Sequence, residues 1–160
     1  MRIGVPKETA DGEHRVALVP EVVRKLAGGE RGLEVVVERG AGAGALIPDA
    51  QYEEAGTRMV EDPTGPYEAD VVVKVALPSA DEIGRLSSDG VLIGFLQPLT
   101  AGEAIRSIAQ TGVTSFAMEA IPRISRAQSM DALSSQANIG GYKSVLIAAT
   151  EIGRFFPMLM

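Results

Sequence analysis

The sequence predicts an α/β fold built on a doubly wound parallel sheet, Rossmann-like or flavodoxin-like, with a long helix at the C-terminal end. Three observations carry this. Short β-branched or apolar runs alternate with helical patterns, as strands and crossover helices of a parallel sheet do. The runs are nearly continuous in hydrophobic residues rather than alternating, as in strands covered on both faces. At 160 residues with 46% hydrophobic content, the chain can bury a substantial core.

The elements follow in order. Arg2 to Val5, Leu33 to Glu38, Val71 to Ala76, Val91 to Leu96 and Val113 to Ala117 read as strands, bounded by Gly, Pro, Asp or Glu. That gives at least five. Pro20 to Leu26 reads as a helix with proline in the favoured first turn. Asp49 to Ala55, Ser79 to Leu86, and Thr100 to Ala109 with Thr100 as N-cap complete the interleaved set. Asp62 to Pro66 is a turn-rich connection within the domain. A long helix starts after Asp131 and is expected to run to about Phe156, where Pro157 stops it. Ala137, Gly141, Ser144 and Ala148 keep one stripe of it small. Gly140 and Gly141 each cost about 1 kcal/mol in helix propensity, and close packing is expected to offset this. The boundaries are 1–130 for the α/β domain and 131–160 for the linking helix.

Composition excludes several function classes. The chain has no cysteine, which removes disulfides, thiolate catalysis and zinc-thiolate sites and permits a reducing cytoplasm. A net charge of −6 with interspersed signs argues against nucleic acid. The N-terminus meets Pro6 and charged residues before an apolar core can form, so no secretory signal is read and the chain is expected to begin at Met1. The apolar runs fall short of the roughly 20 residues that span a bilayer. A membrane connection would have to come through a partner.

Gly40-Ala-Gly-Ala-Gly-Ala45 formally fits a dinucleotide fingerprint, with Glu61 as the acid that would hold the ribose. Pro48 interrupts the helix such a fingerprint requires, so a structural glycine loop is the favoured reading. Lys74 near the end of its strand has two readings: it binds an anion in the ligand crevice, or it snorkels on an edge strand. Arg15 is a loop cation with a weak signal of its own. His14, the sole histidine, sits among loop charges without an elbow motif, so a solvated surface residue is favoured over a triad member. No metal site is read, and Glu53-Glu54 looks like a solvated helix face.

The stretch from Pro122 to Tyr142 is richest in chemistry. Arg123, Arg126, Gln128 and Asp131 fall within nine residues, with Ser125, Ser129, Ser134 and Ser135 among or just after them. One reading is that Asp131 caps the long helix, with Ser129 as a competing cap. The other, favoured, is a ligand site, since amide, guanidinium and hydroxyl donors at a helix entrance suit a nucleotide's ribose, amide or phosphate groups.

From Pro122 through Ile139, then Gly141-Tyr142 and Gly153-Arg-Phe-Phe-Pro-Met158, the sequence closely resembles the NAD(H)-binding subunit, domain I, of proton-translocating nicotinamide nucleotide transhydrogenases. Met1 to Glu8, Arg15-Val-Ala17 and Gly40-Ala-Gly42 are similar to the N-terminal region that this subunit shares with alanine dehydrogenases. The resemblance covers essentially the whole chain. It implies hydride transfer from NADH to NADP+ held by a separate NADP(H)-binding domain, coupled to proton movement through a membrane domain. It also implies a homodimer in the cytoplasm, peripheral to the inner membrane through partner subunits. The resemblance implies that Arg123, Gln128 and Asp131 approach the nicotinamide, and that Ile124, Ser125, Arg126, Ser129, Met130 and Ser134 also contribute to NAD(H) binding. Arg15 and Lys74 match cleft residues of alanine dehydrogenases, but Gln97 stands where those enzymes carry a catalytic histidine. An alanine dehydrogenase relative and a non-catalytic assembly module are the alternative readings. The family's subunit continues into a second domain holding most of the NAD surface, whereas this sequence stops at Met160. The fragment is therefore expected to be inactive alone and to bind NAD(H) weakly or not at all.

Overall fold

A computed structural model of the chain describes residues 1–29 and 32–156. Two compact units are present, Met1–Ala120 and a second beginning at Ile121, so the Arg123–Asp131 loop belongs with the helix that follows it.

The first unit is a six-stranded, wholly parallel sheet. Its strands are β1 (Arg2–Val5), β2 (Glu34–Glu38), β3 (Arg58–Val60), β4 (Val71–Val73), β5 (Val91–Gly94) and β6 (Thr114–Ala117). They lie in the order β3-β2-β1-β4-β5-β6, the Rossmann order rather than the flavodoxin one. Chain direction across the sheet reverses between β1 and β4, and the crevice outside that junction is where ligands of open α/β sheets bind.

The helices are α1 (Pro20–Ala27), α2 (Asp49–Glu54), α3 (Ala80–Ile83) and α4 (Gly102–Thr111). Side chains alternate across each strand; β1 and β2 are largely buried, whereas the edge strand β6 is exposed over most of its length. Val5, Val35 and Val37 pack with Val23, Tyr52 and Ala55 of α1, α2 and the end of α2. On the other side Val72 and Leu92 pack with Tyr67, Ile83, Leu96 and Ile108. Gly4 admits no side chain: a methyl group there would lie 1.8 Å from the Pro66 carbonyl oxygen.

Several bounds differ from those expected, for identifiable reasons. β3 is an additional edge strand of three residues, too short and too polar at Arg58 to read as a run. β4 ends at Val73 instead of Ala76 because the Val75 and Ala76 N–H groups donate to the Glu8 carboxylate at 2.6 and 3.2 Å. β5 likewise ends at Gly94, since Leu96 and Gln97 donate to Glu119 at 3.3 and 2.5 Å. α3 is cut to one turn by Gly84, with Ser79 and Glu82 forming a capping box at its start. Thr100 does not cap α4. Its N–H and that of Ala101 turn back to the Gln97 carbonyl, so the helix begins at Gly102 with no side-chain cap.

In the second unit, a 3-10 turn (Ser125–Met130) leads into α5 (Ala132–Glu151). This helix ends before the expected Phe156, as Ile152 adopts extended backbone and Gly153 follows, a residue with poor helix propensity. The expected stop at Pro157 lies outside the described residues. Within the described residues nothing packs against the two glycines: a methyl at Gly140 or Gly141 would meet no atom within 4 Å, and no α5 residue is buried.

Candidate functional site

The crevice at the β1–β4 junction holds a buried charge cluster. Lys74 follows β4, an interior strand, so the edge-strand reading of this lysine does not hold. Its side chain is 1% exposed. Lys74 Nζ donates to Glu82 Oε1 at 2.8 Å and lies 3.3 Å from Glu8 Oε2. Glu82 Oε1 also accepts from the Tyr67 hydroxyl at 2.9 Å and, at 3.4 Å, from Thr9 Oγ1. Its Oε2 accepts from the Ser79 N–H at 2.7 Å, which anchors the cluster to α3.

Burial by itself would raise the Glu82 carboxyl, but the hydrogen bonds from Lys74, Ser79 and Tyr67 together hold it below its ordinary value. Tyr67 is pushed well up, first by burial and then by the Glu82 charge. One ammonium between two carboxylates leaves the cluster formally negative, with Lys74 committed to the protein's own acids. Beside it opens a cleft of about 520 Å³ lined in part by Lys7, Thr9, Asp81 and Arg85.

Three strand ends along this rim are closed by carboxylates. Glu38 accepts from the Lys7 N–H at 2.8 Å, Glu8 from Val75 and Ala76, and Glu119 from Leu96 and Gln97. Free N–H groups at such positions are anion-binding groups; here the chain's own anions occupy them. The glycine loop offers no substitute. After Gly40 comes a 3-10 turn (Ala43–Ala45), and α2 opens only at Asp49, whose carboxylate already accepts the Gly40 N–H at 2.9 Å. Gly42 serves packing, since a methyl there would come within 2.7 Å of the Tyr52 ring. Glu61 lies 3.9 Å from Arg39 in a largely exposed pair.

Arg15 forms a 2.6 Å ion pair with Glu13, and its guanidinium lies 5.9 Å from the centre of the Phe95 ring. The Glu13 hydrogen bond, with a smaller effect from Glu8, raises the arginine further. His14 is exposed. Among the described residues no group of three or more His, Cys, Asp or Glu is arranged to hold a metal.

In the second unit, Arg123, Ile124, Ser125, Gln128 and Asp131 line one cavity of about 210 Å³. The local fold explains the convergence. Ile124 is extended, its carbonyl accepts from the Ala127 N–H at 2.9 Å, and the 3-10 turn with buried Ala127 then carries Gln128 back beside Arg123 and Ser125. Asp131 caps α5: Oδ1 accepts from the Ser134 N–H at 2.9 Å and Oδ2 from the Ser134 hydroxyl at 2.6 Å. These bonds, the hydroxyl's first, lower the Asp131 carboxyl, and the Arg123 charge adds to the effect. Arg126, Ser129 and Met130 are exposed on the same turn but do not line the cavity. Ser129 lies inside the turn and does not compete as a cap.

Sequence reasoning alone does not pick out Glu8, Glu82, Tyr67 and Glu119. Ser79-x-x-Glu82 is a legible capping box; the other three carry no local signal, because their partners are distant in sequence.

Together these features define an α/β domain of Rossmann strand order whose switch-point crevice carries a buried charge cluster, followed in the chain by a polar loop at a helix entrance. The chain belongs to the family described as "Alanine dehydrogenase/PNT, N-terminal domain", whose model matches residues 4–140. It is 45% identical over its full length to an NAD(P) transhydrogenase alpha-subunit protein of Rhodospirillum rubrum, covering 43% of that protein. The alanine dehydrogenase of Halomonas elongata is 38% identical over 76% of the chain, covering 32% of that protein. Among solved structures, a transhydrogenase from Sinorhizobium meliloti superimposes over the whole chain with TM-score 0.92 and 48% identity, covering 47% of its length. An L-alanine dehydrogenase superimposes over 74% of the chain with TM-score 0.71 and 36% identity, covering 32% of its length. The chain thus spans less than half the length of these relatives. No described helix is long and apolar enough to cross a membrane.

Proposed function

We propose that this chain is the N-terminal part of the NAD(H)-binding subunit of a proton-translocating transhydrogenase, and that its Arg123–Asp131 loop forms the nicotinamide-side wall of the NAD(H) site. The observation that carries this reading is the single cavity shared by Arg123, Ile124, Ser125, Gln128 and Asp131.

The donor set fits a nicotinamide. Arg123 supplies N–H donors for a carboxamide oxygen, Gln128 can donate and accept, Asp131 accepts, and Ile124 offers apolar surface to a ring. At about 210 Å³ the cavity is smaller than the roughly 300–1,000 Å³ of whole small-molecule sites. It suits one end of a dinucleotide, the rest being held by the further domain expected of the complete subunit. NAD(H) would supply the hydride, and NADP+ on a partner domain would receive it. The residues of this loop bind and orient, a task that needs no general acid or base. The Ser134 bonds fix the Asp131 carboxylate in one orientation, which leaves its remaining acceptor capacity aimed rather than mobile.

The same reading places the complete enzyme as a dimer in the cytoplasm, held at the inner membrane by its proton-conducting partner domain. Alanine dehydrogenation is disfavoured by Gln97 in the histidine position and by Lys74, which is already paired with Glu8 and Glu82. An assembly role is compatible with the main proposal: Ile139, Tyr142, Val145, Leu146 and Ile147 of α5 are all about half exposed or more, an apolar surface of the kind that docks to protein.

Calorimetric titration tests the split site. NADH should bind the complete subunit and bind this chain alone weakly or not at all; micromolar affinity for the chain alone would contradict the split. Pyruvate- and ammonia-dependent NADH oxidation by the complete protein would instead favour the dehydrogenase reading.

A further inference from the structure

Glu119 sits in a 3-10 turn (Met118–Ala120) directly after β6, and both its carboxylate oxygens are spent on backbone. Oε1 accepts from the Gln97 N–H at 2.5 Å and Oε2 from the Leu96 N–H at 3.3 Å. Gln97 has φ +52°, a left-handed backbone that a non-glycine residue adopts at a cost. Its carbonyl in turn accepts from Thr100 and Ala101 at 3.0 and 2.9 Å. A charged, two-point acceptor therefore holds a strained turn at the C-terminal end of β5. Such strain persists only where the surroundings over-determine it, and it concentrates near functional sites.

The position of Glu119 in the chain gives the clasp its meaning. Ile121, two residues on, begins the unit that carries the loop. The β5–β6 ladder ends at the Gly94–Ala117 pair, and beyond it the Glu119 carboxylate ties this last turn of the sheet unit to the residues that follow β5. Charge-assisted bonds of this type are shorter and about twice as strong as neutral ones.

We propose that Glu119 is a positioning residue for hydride transfer: by clasping Leu96 and Gln97 it fixes the backbone from which the Arg123–Asp131 loop departs. This rests on the loop reading given under the proposed function. Glu119 touches no reacting atom on this account. Its loss shifts the loop's starting point, and misplacement by about 1 Å far from the chemistry can cost on the order of a hundredfold in rate.

The test uses the complete transhydrogenase in single-turnover hydride transfer, with variants Glu119→Ala, Glu119→Gln, Arg123→Ala and the double variant Glu119→Ala/Arg123→Ala. Glu119→Ala should slow transfer about tenfold or more, lowering kcat more than it raises KM for NADH. Glu119→Gln, which keeps one acceptor oxygen, should recover part of the rate, and it replaces Glu119→Ala in the set if that variant does not fold. The double variant should be slower than Arg123→Ala by less than about threefold, because residues acting through one loop are not additive. Multiplicative losses would show that Glu119 acts independently of the loop and overturn the proposal. A rate within about twofold of the parent for Glu119→Ala, with Arg123→Ala slow, would overturn it while leaving the loop reading intact. If Arg123→Ala is itself unimpaired, the loop reading falls and the Glu119 proposal falls with it.

Discussion

Lys74 Nζ lies 2.8 Å from Glu82 Oε1, and both side chains are more than nine-tenths buried. With Glu8 at 3.3 Å, the one ammonium is shared between two acids inside the sheet's own ligand crevice. Replacing one partner leaves an uncompensated buried charge, which costs about 3–5 kcal/mol. Lys74→Met should therefore lower urea-unfolding stability by that order. Lys74→Met/Glu82→Gln should regain part of the loss; a single variant as stable as the parent would contradict the cluster's role.

The pH dependence follows from Glu82. Its folded carboxyl is held below the ordinary value of 4.5, so its contribution to stability is present above that pH and is lost as pH falls through the folded value. Denaturant titrations from neutral pH downward should show stability falling below about pH 4.5, more shallowly in Glu82→Gln. Equal slopes in parent and variant would remove Glu82 from the acid limb.

Tyr52 governs the alkaline side. Its hydroxyl donates to the Leu18 carbonyl at 2.9 Å, and burial pushes its phenol from 10.0 to about 12. The neutral form is favoured in the fold, so its stabilisation is complete below pH 10 and is lost as pH rises towards 12. Tyr52→Phe should cost about 1 kcal/mol near neutrality by leaving that carbonyl unpaired, yet flatten the alkaline loss. Tyr67, raised in the same sense, would account for the loss that remains.

Gly4→Ala places a methyl 1.8 Å from the Pro66 carbonyl oxygen, a backbone atom that cannot swing aside as a flexible side chain would. Overpacking of this kind costs about 1–3 kcal/mol, occasionally more, and this contact belongs at the upper end. Circular dichroism melts should show a clear drop in Tm; an unchanged Tm would mean the turn over β1 can move.

Much of the fold was legible because a parallel sheet advertises itself: continuous apolar strands such as Val71–Val73 can be covered on both faces only by alternating helices. What could not be read were features set by distant partners. The early ends of β4 and β5 depend on Glu8 and Glu119, which are separated from their N–H partners by 67 and 22–23 residues or so. Thr100 has the residue type of a cap, but its N–H and that of Ala101 turn back to the Gln97 carbonyl, and the helix starts at Gly102. For the loop, local density marks the stretch in the sequence but does not say which of its residues share a cavity. Their assembly around one cavity needed the 3-10 turn, whose tightness returns Gln128 towards Arg123 and leaves Arg126, Ser129 and Met130 outside.

On the proposed function, the loop orients the nicotinamide for hydride transfer. Single-turnover transfer from NADH to NADP+ in the complete enzyme carrying Gln128→Asn tests it most directly, since the change keeps the amide and withdraws it by one methylene. The rate should fall about tenfold or more with the protein's melting temperature unchanged; an unaltered rate would remove Gln128 from the mechanism and overturn the assignment of this loop.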